Sequence, residues 1–321
     1  MPSVAGAILS SRFRCAQYKM PTMVAATTIS IRGPAVAGRF YPGDPARCSA
    51  EARRLIATAP APRLEQNQKL IGALVPHAGW ICSGQIAAQA LSTLAAANKN
   101  PDLVIVFAAV HTPIPLETAA LDSHDVWTLP GQRQLVNTAL RHRLAEDDAH
   151  FVIDDRFHAR DHAVEVELPL ISALYPGVPI LPLEVPATEE APQIGQRTAA
   201  ACIAAGLHPV YLASSDLTHY GPNYRFAPAG TGPEALNWAM QNDRHLLDLV
   251  TAMNVAAIVP EAKERQNACG AGAIAAMMAA CREHGASRAM LLRHSNSFET
   301  LSAVAPQPSD NAVGYAALVV G

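Results

Sequence analysis

Short apolar runs of β type alternate along this chain with longer stretches of helical period, and few architectures accept that order. Leu70–Val75, Leu103–Val110, Val178–Leu183, Val210–Ala213 and Met290–Arg293 read as buried strands, and Ala312–Val320 as a last strand. Helical patterns fit Ser83–Ala97, Arg133–Leu144, Ile194–Gly206, Glu234–Thr251 and Ala271–Glu283. Ser83 is placed to cap the first of these. Such alternation predicts an α/β domain of three layers, with helices covering a sheet.

The remaining totals narrow the class of protein. With 321 residues, half of them hydrophobic and 16% charged, the chain can bury one large core. A formal charge of -3 gives no reason to expect nucleic acid as a partner. No apolar run approaches the roughly 20 residues that cross a bilayer, so no membrane span is expected. Cysteines at 15, 48, 82, 202, 269 and 281 are scattered and form no CxxC pair. That spacing argues for a reducing compartment, and a cytoplasmic location is expected.

Residues 1–33 carry Arg12, Arg14, Lys19 and Arg32 and no acid, a bias shared with mitochondrial transit peptides. They read as a flexible leader or as a start placed too early, since Met20 and Met23 are both plausible starts. The domain is expected to span 34–321 without an internal linker. Pro-rich stretches at 59–63 and 186–192 read as surface loops. One segment, Asp161–Ile171, fits two patterns. Val164, Val166 and Leu168 alternate with Glu165 and Glu167 as in a strand, whereas a helix would bring His162 and Glu165 onto one face around Pro169.

Chemistry concentrates where the expected strands end. In open α/β sheets ligands bind beyond the carboxyl ends of the strands. There Leu70–Val75 runs into Pro76-His77-Ala78-Gly79, and Leu103–Val110 into His111. Val210–Ala213 runs into Ser214-Ser215-Asp216-Leu217-Thr218-His219. One such histidine would mean little, but three at equivalent positions suggest a metal, for which neutral imidazole is a common ligand. Cys269 precedes the helix Ala271–Glu283, whose positive N-terminal end favours a thiolate. Asp216 is placed to orient His219 for general acid/base work, and His162 with Glu165 to support the site from behind the ligands. No GxGxxG after a strand, P-loop or GxSxG elbow occurs, so nucleotide and classical hydrolase readings lack support.

At these same residues the chain resembles the Memo family, whose bacterial members are called AmmeMemoRadiSam system protein B. The blocks GRFYP at 38–42, PHAGWICSG at 76–84, DHAVEVELPLI at 161–171, SSDLTHYG at 214–221, CGAGAI at 269–274 and VGYA at 313–316 follow in the family's order. The resemblance implies a fold similar to the class III extradiol dioxygenases, with a central mixed sheet between helical layers. It also implies that Asp161–Ile171 starts a helix. By the same resemblance His77, His111 and Cys269 fall where the family places its metal-site residues. His219, with Asp216 beside it, falls where the dioxygenases keep their acid/base histidine. Two local departures stand out: Ala108-Ala109-Val110 precedes His111 in place of the usual Gly-Pro turn, and CGAGAI lacks the family's common proline.

Three functions follow as expectations. The first is a metal-dependent redox enzyme, dioxygenase-like, with Fe(II), or alternatively copper or zinc, on His77, His111 and Cys269. Its third ligand is a thiolate where the dioxygenases use a carboxylate, and a thiolate is softer and oxidisable. The second is a binding module without turnover, because animal members of the family are described as adaptors that recognise phosphotyrosine peptides. A small-molecule or anionic ligand, or a protein partner, would then occupy the same pocket. The third is metal-free nucleophilic catalysis by Cys269 with His219 as base, which leaves two histidines without a task.

Overall fold

The structure, a computed structural model, describes residues 29–60, 69–147 and 149–321. Its strands are β1 (Ile31–Arg32), β2 (Gly72–Val75), β3 (Leu103–Ala108), β4 (Ala119–Leu121), β5 (Val126–Leu129), β6 (Gln132–Leu135), β7 (Phe151–Ile153), β8 (Ile180–Glu184), β9 (Pro209–Ser214), β10 (His219–Tyr220), β11 (Ala289–Asn296) and β12 (Ala312–Val320). The large sheet has the order β10-β12-β2-β9-β3-β8-β4-β7, with β11 also paired to β12. β2, β9, β3 and β8 are mutually parallel in that order, while β12 and β4 flank them antiparallel. The sheet is therefore mixed, as expected for this fold class.

Side-chain alternation along the strands builds two cores. On β3, Leu103, Ile105 and Phe107 join one core; Val104, Val106 and Ala108 join the other. The first core takes in the helices Ala191–Ala204, Pro233–Thr251, Val255–Arg265 and Ala271–Glu283. The second takes in Pro45–Thr58, Trp80–Ala97 and Leu168–Leu174. Three layers result. Residues 271–281 are buried all round, which suits a helix of Ala, Gly, Ile and Met running through the interior. Its neighbour Ala191–Ala204 approaches so closely that a Cβ on Gly195 would lie 1.9 Å from the Ala276 carbonyl oxygen. Gly195→Ala is expected to cost about 1–3 kcal/mol through overpacking, read as a lower denaturation midpoint. An unchanged midpoint would contradict this packing.

Several sequence expectations shift. The helix expected from Ser83 starts at Trp80, with Gly79 at its cap, and an unforeseen helix, Pro45–Thr58, precedes it. Ser83 lies inside the first turn, where its hydroxyl donates to the Ala78 carbonyl at 2.9 Å. The earlier start follows from Trp80, whose N–H donates to Phe40 O and whose indole N–H donates to Val166 O. Residues 133–135, expected as helix, belong to β6, which pairs antiparallel with β5 across the Pro130-Gly131 turn; the helix there is Thr138–Asp147. Asp161–Ile171 contains no strand. A short 3₁₀ turn, Glu165–Glu167, leads into the helix Leu168–Leu174, and Pro169 sits in its first turn, where no N–H is required. Sheet structure also reaches back before Gly33, because Ile31 and Arg32 pair in parallel with Val126 and Trp127. The remainder of the leader segment, 1–28, lies outside the described residues, as do 61–63 of the first Pro-rich stretch. Among the described residues no helix is long and apolar enough to cross a membrane.

Candidate metal centre

Strand register places the site. Val75 and Ala108 both align with Ser214, so β2, β9 and β3 end at one level and release their loops side by side. His77 follows β2, His111 follows β3, and Asp216 and His219 follow β9. Cys269 arrives from the loop before Ala271–Glu283. Its N–H donates to Asp216 O at 3.3 Å, and its Sγ accepts the Asp216 N–H at 3.2 Å. Two segments far apart in sequence are thus stitched together by one backbone and one thiol hydrogen bond.

Each imidazole is fixed by a polar partner. The Ser214 hydroxyl donates its only proton to Ala163 O at 2.6 Å, so its oxygen accepts the Nδ1–H of His77 at 2.8 Å. The Asp161 carboxylate accepts the Nδ1–H of His111 at 2.9 Å. Both rings are left with Nε2 for coordination, the arrangement by which outer partners orient metal-binding histidines. His77 Nε2 lies 3.4 Å from Cys269 Sγ. Nitrogen and sulfur ligands on one tetrahedral ion, bonded at about 2.0 and 2.3 Å, would stand about 3.5 Å apart. Ligand atoms of His77, His111 and Cys269 all lie within 4.8 Å of one another, and the two rings are perpendicular. The donor set fits a transition metal.

A second group, His111, Asp161 and His162, meets the same distance limit. Its geometry is poorer, because the rings of His111 and His162 stack at 4.6 Å with 20° between their planes. Imidazole lone pairs lie in the ring plane, so nearly parallel rings do not converge on one ion. His162 instead forms a wall of the pocket between His111, His77 and Phe40. Burial and the field of His77 push it down to about 3, which keeps it neutral.

Electrostatics in the metal-free chain favour a thiolate. Burial opposes ionisation of Cys269, but facing His77 and His111 outweighs it and brings the thiol down to about 6. Burial likewise disfavours a charged His111, but hydrogen bonds to Asp161 and Cys269 raise it to about 10. Burial pushes Asp216 up to about 6, against the pull of His219 and of the His77 N–H. Burial raises Cys48 and Cys202 to about 11 and moves Cys82 and Cys281 upward too. Alkylation of Cys269 in metal-free protein is therefore expected to rise through pH of about 6 and level off above it, ahead of those four thiols. Mass-spectrometric mapping across pH checks this; a rise only above pH of about 8.5 would contradict it.

Two expected roles are corrected. Glu165 does not support the cluster. Its carboxylate is fully committed to Arg32 at 2.7 Å, the N–H groups of Ala35 and Val36, and the Tyr41 hydroxyl. The 3₁₀ turn points Glu165 away from His162 and toward the N-terminal segment. Asp216 does not hydrogen-bond the His219 ring; it accepts the backbone N–H of His77 at 2.9 Å. His219 donates Nδ1–H to the Leu217 carbonyl at 3.1 Å and packs against Tyr224. Sequence reasoning overlooks Asp161 and Ser214, although each stands beside a residue already singled out.

A mixed sheet between helical layers, with two histidines beyond strand ends and a cysteine just before a helix, defines a metal-capable α/β/α protein. The family model described as Memo, Memo-like protein, matches residues 32–319, and the chain belongs to the Memo family. Relatives include a MEMO1 family protein of Methanococcoides burtonii, 32% identical over 295 residues that span 90% of this chain and 100% of the relative. Another, from Nitrosopumilus maritimus, is 29% identical over 295 residues, 90% of this chain and 98% of its own. A crystal structure of an uncharacterized protein from Escherichia coli K12 overlaps with a TM-score of 0.47 at 13% identity, over 79% of this chain and 100% of that one.

Proposed function

We propose that the pocket is a mononuclear redox centre and the protein a metal-dependent, dioxygenase-like oxidoreductase of the cytoplasm. His77, His111 and Cys269 would hold Fe(II), with copper or zinc the ions the same donors also suit. One observation carries the reading: three ligand atoms within 4.8 Å, two of them Nε2 atoms whose rings are locked through Nδ1. Three protein donors leave further positions for substrate, whereas structural zinc sites are closed by four. A bound iron or copper ion supplies electron transfer and oxygen activation there.

The chain's own groups do the rest. Ser214 and Asp161 keep Nδ1 of the two ligands protonated. His219, held through Nδ1, presents Nε2 to take or give a proton. Asp216 places a carboxylate near both His219 and His77. Phe40 and His162 wall one side of the pocket. Elemental analysis of anaerobically purified protein, followed by oxygen-uptake measurements with reductant, tests this. About one redox metal per chain with metal-dependent uptake is expected; a chain that takes up neither Fe(II) nor Cu(I) overturns it.

His111, whose side chain is 31% exposed, is open to an outside ligand and gives a second reading. A small anionic or phosphorylated ligand, including a segment of a protein partner, would be held there without turnover. Calorimetry of metal-free protein with phosphotyrosine peptides would give measurable heat; none at high peptide concentration would exclude it.

A further inference from the structure

We infer that Asp243, held by His294, is a positioning residue for His219; this deepens the reading of His219 as the proton-handling group and rests on it. Asp243 lies in the helix Pro233–Thr251 and is 1% exposed, a costly place for a carboxylate without partners. One of its oxygens accepts the Thr218 N–H at 2.9 Å, and the other accepts the Nε2–H of His294 at 2.9 Å. The Thr218 N–H and the Leu217 carbonyl belong to one planar peptide unit. Fixing the N–H end toward Asp243 therefore fixes where the oxygen end points. That oxygen is the acceptor for His219 Nδ1.

The surroundings hold this unit in place. Leu217 N–H donates to Gly314 O at 2.8 Å, and Gly314 N–H donates to Thr218 O at 2.9 Å. A Cβ on Gly314 would lie 2.1 Å from an Asp243 carboxylate oxygen, so the carboxylate is pressed against β12 with no room for a side chain. Asn242, the preceding residue, donates to Thr218 Oγ1 at 3.1 Å, and its carbonyl accepts from Asn267 Nδ2 at 2.9 Å. Asn267 stands two residues before Cys269. The buried Asn242-Asp243 step of this helix thereby anchors both the His219 loop and the Cys269 loop, without touching the three ligands.

Histidine side-chain ¹⁵N NMR of the full, metal-free chain tests the proposal, with His219 assigned by its loss in His219→Gln. The native chain is expected to show His219 protonated at Nδ1. Asp243→Ala should shift it to a mixture of tautomers, while Asp243→Asn, which keeps an oxygen for Thr218, should retain the native pattern. An unchanged pattern in Asp243→Ala, or the same shift in both variants, overturns the proposal. Should Asp243→Ala fail to fold, His294→Leu frees the carboxylate instead; the same tautomer shift is expected, and its absence is equally fatal. Zinc stoichiometry should stay native in every Asp243 and His294 variant. A native chain that binds no zinc, iron or copper counts against the metal reading and leaves the tautomer result standing.

Discussion

His77→Ala should abolish stoichiometric metal binding. His77 is 1% exposed, perpendicular to His111, and 3.4 Å from the Cys269 sulfur, so its removal takes away the innermost nitrogen donor. Loss of an outer partner of a metal ligand alone costs about 10–100-fold in affinity, and loss of the ligand should exceed that. The fold should survive, because the backbone N–H of residue 77 still donates to Asp216 and no core layer depends on the ring. Competition against a chelator, with elemental analysis and circular dichroism, separates the two effects. A folded variant that retains native metal affinity would show that the ion sits elsewhere.

Arg32→Ala should destabilise the fold by about 3–5 kcal/mol, the usual cost of stranding one partner of a buried ion pair. Arg32 and Glu165 are 2% and 0% exposed in their side chains and meet at 2.7 Å. Arg32 also donates Nε–H to His158 O and Nη2–H to Asp161 O, and its guanidinium lies 3.9 Å from the Trp127 ring centre. Without it, Glu165 would keep its N–H and hydroxyl donors but lose its counter-charge. Arg32→Lys should recover only part of the loss, since an ammonium cannot reproduce the planar fork that spans these partners. Asp161 orients His111, so Arg32→Ala should also weaken metal binding. Chemical denaturation measures the first effect, and a loss below about 1 kcal/mol would contradict the assignment.

The two variants probe parts of the molecule that differed in how far the chain alone reveals them. His77, His111, His219 and Cys269 are visible because each sits at the end of an apolar run or beside a glycine-bearing turn, and strand ends are where α/β sheets bind ligands. Ala271–Glu283 and Ala312–Val320 are legible to the residue, because long uninterrupted apolar segments leave little choice of boundary. β4 and β7 are three residues each and carry no such signal. β4 exists because β8 offers an edge at which Ala120 and Leu121 pair, and β7 because β4 then offers the next edge.

Local residue order, then, determined the layers, the mixed α/β character and the candidate ligands, since periodicity and turn chemistry act over a few neighbours. Packing between segments 50 to 139 residues apart decided the rest. It turned Glu165 toward Arg32, gave the His111 nitrogen to Asp161, and set Asp216 against the His77 backbone instead of the His219 ring. Which buried polar group finds which partner depends on where distant backbones end up, and spacing along the chain does not encode that distance.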